Sequence, residues 1–295
     1  MGNCLVTKLK ARIEDDSLLK LNALTLLPDY AESTYGVFSI ATTDVNNHLD
    51  ITVTRGGSTL KRGGTSYDTA TDLGQNTQIY DTDYRQFYCT PGQNAVVDIK
   101  DVHNIKKLEV KLDSDKSKNN MLINNREVLR YMTNLEYIVF RKASDSAKNI
   151  VSLIKDLPKI NTLIFSVGEL GIYGDLSDFA PLASKLTSLA IPQCTNIKGN
   201  IEDLGCMYKL ESLTFYSNLN IHGTIEGFVQ EQRRARVAAG LSAANAVGIN
   251  LVYFHSTDVK FGDEFISLGD TPTLTWTDST ITLSNNKGYS KNVNA

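Results

Sequence analysis

The chain reads as an α/β plus β protein. A small N-terminal antiparallel β domain over residues 1–97 is followed, over residues 98–295, by a repeat-built solenoid with an inserted helix and a C-terminal β cap. Three observations predict this. Short runs of alternating apolar residues fill the first third of the chain. An apolar frame then recurs at near-constant spacing. A glycine column recurs in phase with that frame.

The N-terminal elements come first. Met1-Gly2-Asn3-Cys4 leads into Leu5, Val6 and Leu9, a short apolar tip that is expected to anchor by inserting into a neighbouring chain. No apolar run of about 7–15 residues follows it, so no secretory signal is expected. Val6 stands where a myristoylation motif wants Ser or Thr. Strands are expected at Tyr35–Ile40, Leu49–Thr54, Thr77–Tyr80 and Gln86–Cys89, with turn residues between them and a boundary near Thr90-Pro91-Gly92. Arg55-Gly56-Gly57 and Arg62-Gly63-Gly64 read as hairpin turns, because RNA-binding segments of this type are long, repetitive and cationic. Lys+Arg is 30 against Asp+Glu 33, a net charge of −3, which argues against a nucleic-acid or anionic-membrane partner.

The repeat carries the rest. The frame Φ-x-x-L-x-x-L-x-F, with Φ apolar, fits Val102, Ile105, Leu108 and Val110, then Met132, Leu135, Ile138 and Phe140. It returns at Leu157, Ile160, Leu163 and Phe165, at Ala183, Leu186, Leu189 and Ile191, and at Met207, Leu210, Leu213 and Phe215. Its second position runs 105, 135, 160, 186, 210, and a further copy from Ala246 to Phe254 comes 39 residues later. Ile172-Tyr173-Gly174-Asp175-Leu176 is matched by Ile197-Lys198-Gly199-Asn200-Ile201 and by Ile221-His222-Gly223-Thr224-Ile225, so the glycines keep the same step. One such unit cannot bury its apolar side alone, so neighbours must stack. Within the long step, Phe228, Val229, Val237 and Leu241 have helical spacing and predict an amphipathic helix ending near Gly240. Arg233, Arg234 and Arg236 are expected on its solvated or acid-paired face. Ile150–Leu157 predicts a second helix.

These residues resemble the leucine-rich repeat family. Leu210-Glu211-Ser212-Leu213-Thr214-Phe215 followed by Ile221-His222-Gly223-Thr224-Ile225 is similar to the L-x-x-L-x-L…L-x-G-x-I form of that repeat, and the likeness spans about residues 98–265. It departs from the family in the asparagine expected after the strand, which is poorly placed, and in the 39-residue step. The resemblance implies a strand, a turn and a return segment in each copy.

Alternation along each strand points Leu and Phe inward and the intervening residues outward. The exposed strand face is therefore expected to show Tyr137, Val139, Arg141, Ile164, Thr214 and Tyr216, with Thr162, Ser188, Ser212, Ala190, Ser166 and Pro192 in the same columns. This face is small and mostly neutral. A phosphate groove would need Lys or Arg there, and a catalytic cleft would need clustered carboxylates or His.

No phosphate-loop, dinucleotide, nucleophile-elbow or zinc-protease motif occurs. His48, His103, His222 and His255 lack metal spacing, and Asp113–Asn119 lacks the Gly and Glu of a calcium loop, with Lys118 and Asn124 in their places. Cys4, Cys89, Cys194 and Cys206 have no C-x-x-C spacing and read as free thiols, and nothing requires a Cys194–Cys206 bond. No enzyme, metal or cofactor is expected.

The opening Met1–Lys10, with Ser17-Leu18-Leu19-Lys20-Leu21 after it, resembles openings of structural proteins from phages of gut Bacteroides, the crAss-like group included. The segment Gln232-Arg233-Arg234-Ala235 is similar to ones in such proteins. The resemblance implies a virion component assembled in the host cytoplasm: a head or tail fibre or decoration subunit. Its partners would be other virion proteins, copies of itself and a host-surface glycan or protein, without membrane insertion. Two other readings stand beside it, a bacterial leucine-rich-repeat binding module and a phage polysaccharide depolymerase.

Overall fold

The structure, a computed structural model, describes residues 23–28, 35–54, 59–63, 71–90, 96–110, 118–140, 145–165, 171–243, 254–267, 273–277, 280–288 and 290–294. The protein is mostly β-sheet with few helices, and it divides into two compact units, Met1–Tyr137 with Leu157–Lys159 and Ile138–Asp156 with Ile160–Ala295.

The first unit carries β1 (Leu24–Pro28), β2 (Tyr35–Thr42), β3 (Leu49–Thr54), β4 (Thr59–Gly63), β5 (Thr71–Leu73), β6 (Asn76–Ile79), β7 (Arg85–Thr90), β8 (Val96–Ile99), β9 (Ile105–Glu109) and β10 (Lys118–Ile123). The strands expected from alternation are β2, β3, β6 and β7. Pairing is antiparallel throughout, except that β2 lies parallel to β10. The first unit runs to Tyr137, and β8, β9 and β10 find their partners in β1, β2 and β3. The core is the set of inward alternating residues: Leu24, Leu26, Phe38, Ile40, Leu49, Ile51, Phe87, Val97 and Ile99 are fully covered. Phe38 and Phe87 stack at 5.4 Å across the β2–β7 pair.

Of the two Arg-Gly-Gly triplets, the second begins inside β4, which turns back on β5 as a hairpin. The first does not join paired strands: β3 pairs with β6 and β8, whereas β4 pairs with β5 and β7. The short candidate calcium loop lies outside the described residues up to 117, and Lys118 already belongs to β10.

The second unit runs through β11 (Tyr137–Phe140), β12 (Asp145–Ser146), β13 (Thr162–Phe165), β14 (Ile172–Asp175), β15 (Ser188–Ala190), β16 (Ile197–Asn200), β17 (Ser212–Thr214), β18 (Asn218–Thr224), β19 (Thr257–Phe261), β20 (Glu264–Phe265), β21 (Thr273–Trp276), β22 (Thr280–Ser284) and β23 (Ser290–Asn294). Its helices are α1 (Ala147–Ile154) and α2 (Ile225–Ala238). Strands of successive copies alternate between two sheets. One runs β11-β13-β15-β17, the other β12-β14-β16-β18-β19-β20, and the last three strands form an antiparallel sheet of their own.

In the first of these sheets the copies pair in step. Leu163 faces Leu189 and Leu189 faces Leu213, all three fully buried. Behind them Phe140 stacks on Phe165 at 5.8 Å, and Phe215 meets Phe254 edge-on at 5.8 Å. Phe254 thus continues the column across the 39-residue step.

In the second sheet the glycines do not pair with one another. Gly174 faces Ile197 and Gly199 faces Ile221, a slip of two residues from the in-phase expectation. In this register each glycine lies close against a side chain of the copy before. The α-carbon of Gly199 lies against the Asp175 side chain, where an added Cβ would come within 2.9 Å of Oδ1, and Gly223 lies in the same way against Asn200. Both glycines hold positive φ, 125° and 112°, which an L side chain rarely adopts. Each therefore gives room to the residue that caps the following segment of the copy before.

Those capping residues form a ladder. Ser146, Asp175, Asn200 and Thr224 accept hydrogen bonds from the backbone N–H of Asn149, Ser177, Glu202 and Gly227 at 3.0–3.1 Å. Each opens a helix or a 3-10 segment, because its side chain satisfies a donor that has no partner inside the helix. In α1, Ala147, Ile150, Val151 and Ile154 are buried at helical spacing.

The helix α2 matches its expected span, and Gly240 closes it at φ 72°. Its buried stripe differs from the expected one. Ile225, Phe228, Val229, Gln232 and Arg233 face inward, while Val237 is 58% and Leu241 42% exposed. Gln232 earns its inward place by donating through Nε2 to the carbonyls of Met207 and Leu210, each at 3.1 Å. Arg233, expected on a solvated or acid-paired face, is 3% exposed and so is not solvated. Arg234 pairs with Glu231, and Arg236 donates to the carbonyls of Tyr208 and Ser242 at 2.9 Å.

Candidate functional site

The outward side of the β13-β15-β17 sheet is built by the same register that buries its leucines. Thr162, Ser188 and Ser212 form one row, and Ile164, Ala190 and Thr214 the next. None of the six carries a charge. All but the more exposed Ser212 are half-buried, as expected where short side chains stand on a pleated sheet with only their immediate neighbours beside them. Beyond them Tyr216 stacks on His255 at 5.4 Å with the rings 10° from parallel, so this column also crosses the long step.

Not every residue expected on this face is there. Val139 is only 4% exposed and offers no surface, a correction to the alternation argument, which fixes the side of the strand but not what lies over it. Pro192 is buried as well. Arg141 and Ser166 lie outside the described residues, as do Leu5, Val6 and Leu9 of the expected anchoring tip and Cys4.

Tyr137 belongs to the first unit, where it sits in a cluster of its own. Its ring meets Tyr84 edge-on at 5.8 Å, and the Lys107 ammonium lies 5.9 Å from the centre of each ring. The Tyr84 hydroxyl donates to Glu109 Oε2 at 2.6 Å. Burial, and then the adjacent Glu109 charge, hold the Tyr84 phenol far above its ordinary value. The same two causes push the Tyr137 phenol up to about 12. Neither group is poised for proton transfer near neutrality. They brace the end of β9.

A buried position missed in the sequence recurs in the turns after β15 and β17 and before β19. Cys194, Asn218 and Thr257 fall at equivalent places and are buried. Asn218 Nδ2 donates to the carbonyls of Cys194 and Ile197 at 2.7 and 2.8 Å, and its Oδ1 accepts from Asn220 N–H. Thr257 Oγ1 donates to the Phe254 carbonyl at 2.7 Å. The signal was the spacing of Asn218 three residues after Phe215, obscured because the equivalent residue one copy earlier is a cysteine. Cys89, Cys194 and Cys206 are free thiols, and burial pushes the Cys89 thiol up to about 11.

Among the described residues one group of metal-capable side chains is drawn together: His48, Asp50 and Asp101, with donor atoms all within 4.8 Å of one another. The sequence spacing of the histidines had given no hint of it, because Asp101 comes from a different strand connection. Asp50 also lines a cleft of about 480 Å³ shared with Asn76, Gln78 and Lys100.

No protein-family model matches the chain, and neither the curated proteins nor the solved structures contain a match to it. Among the described residues no helix is long and apolar enough to cross a membrane.

Proposed function

We propose that the chain is a non-enzymatic structural component of a phage virion, a head or tail fibre or decoration subunit in which a leucine-rich-repeat-like solenoid displays its strand face. The observation that carries this reading is the neutral ladder Thr162–Ser188–Ser212 and Ile164–Ala190–Thr214. A face of this kind has no charge to hold a polyanion and no acid–base pair to move a proton, and it suits contact with protein. In-step parallel pairing of copies about 25 residues apart supports the solenoid part of the reading. The likeness of Met1–Lys10 to phage structural proteins supplies the virion setting. The helices α1 and α2 weigh against a polysaccharide depolymerase, whose scaffold would be β throughout.

Mass measurement of the native full chain tests the proposal. Fibre and decoration subunits assemble with closed symmetry, so a homo-oligomer is expected at micromolar concentration. A monomer under those conditions removes the fibre reading.

A further inference from the structure

We propose that His48, Asp50 and Asp101 form a binding site for a divalent transition-metal ion of the zinc class, which clasps β3 to the turn that follows β8. This inference stands independently of the virion reading.

The backbone builds the site without help from the donors themselves. β3 and β8 pair antiparallel, with Ile51 facing Ile99, and Lys100 N–H donates to the Asp50 carbonyl at 2.8 Å. The next residue, Asp101, takes a left-handed conformation at φ 58° and opens the 3-10 segment Val102–Asn104. Asn104 ties that segment back, donating through Nδ2 to the His48 carbonyl at 3.0 Å. Asp101 is in this way delivered beside His48 and Asp50, which stand two residues apart at the start of β3.

The separations fit an ion. His48 Nε2 is 3.6 Å from Asp50 Oδ1, and the three donor atoms lie within 4.8 Å of one another. Around zinc, nitrogen and oxygen donors at about 2.0–2.2 Å stand roughly 3.4 Å apart, so small side-chain rotations close the set. The charges fit as well. Two carboxylates are held side by side, and among the described residues neither forms an ion pair with Lys or Arg; the one ion-pair geometry is that of His48 with Asp50. A cation between them removes the repulsion. The chemistry of the donors selects the class: imidazole suits zinc and its neighbours, whereas magnesium and calcium prefer oxygen alone. Three protein donors leave a position for water, as in zinc sites with an open coordination place. The Gln78 amide, 3.4 Å from His48 Nε2, is the group an incoming ion displaces.

The test titrates zinc chloride into the chelator-stripped full chain by calorimetry, with thermal unfolding in parallel. One equivalent is expected to bind saturably and to raise the unfolding midpoint. His48→Ala and Asp101→Asn should each weaken binding by about tenfold or more, taking the midpoint shift with it. His222→Ala, which removes an exposed imidazole of the other unit, should change neither. Should His48→Ala lower the metal-free midpoint, Asp101→Asn, which keeps the side-chain shape, decides alone. Absence of saturable zinc binding, zinc binding undiminished in Asp101→Asn, or equal affinity for magnesium or calcium overturns the proposal.

Discussion

The two units are held together over very different chain distances. In the first, Thr25 reaches Asp98 across 73 positions and Asn125 across 100. In the second, Asn218 reaches Cys194 across 24 and Gln232 reaches Met207 across 25. The first unit thus depends on closures that must be made before they are rewarded, while in the second β13, β15 and β17 each pair with the strand of the next copy. The comparison teaches where damage stays local. In the second unit a lesion breaks one junction between copies. In the first it disturbs a sheet to which β1, β2 and β3 each contribute on both edges.

The largest effect that sharpens this contrast is expected from Leu213→Asp. It leaves an uncompensated carboxylate in a fully buried position and should open the β15–β17 junction and the copies packed on it, seen as loss of part of the circular dichroism signal while a transition belonging to the first unit persists. A spectrum identical to the parent's would disprove the inward assignment of this residue. Gly223→Ala comes next. Positive φ and the collision with Asn200 should together cost about 2–3 kcal/mol in urea unfolding. Thr224→Ala removes one rung of the capping ladder and the Thr224 Oγ1 donation to Glu202 Oε1, and a loss of about 1–2 kcal/mol is expected from the same measurement. The smallest effect belongs to the first unit and to alkaline solution. Because the folded Tyr137 phenol titrates near 12, above its usual value of 10, the folded chain keeps a proton that the unfolded chain loses. This contribution to stability is whole below pH 10 and fades as pH rises towards 12. Tyr137→Phe should flatten that decline in a series of thermal midpoints.

Legibility in the sequence follows the same division. Among the described residues of the second unit the frame leucines lie where the spacing put them, because a repeat of about 25 residues writes each contact several times over, while Ala246, Ile249 and Val252 of the last copy lie outside the described residues. Leu163, Leu189 and Leu213 show it directly, facing one another in register. The glycine slip was not legible, since spacing gives the period and not the stagger. Hydropathy misplaced the inner stripe of α2 because Gln232 and Arg233 lie inward in spite of their polarity. Gln232 is matched there by the Met207 and Leu210 carbonyls. In the first unit, alternation identified β2, β3, β6 and β7 but not their partners, because a period of two is common to all of them. The His48–Asp50–Asp101 group was invisible for the same reason: only pairing brings Asp101 to β3.

The amide of Asn218 has a consequence for synthesis. It completes a bend made some two dozen residues earlier, and Gln232 likewise finishes the loop at Met207 and Leu210. Later residues supply what earlier ones lack. While the stretch from Cys194 to Gln232 leaves the ribosome, the turn at Cys194 and the loop at Met207 and Leu210 therefore wait for Asn218 and Gln232 to emerge, some two dozen residues later.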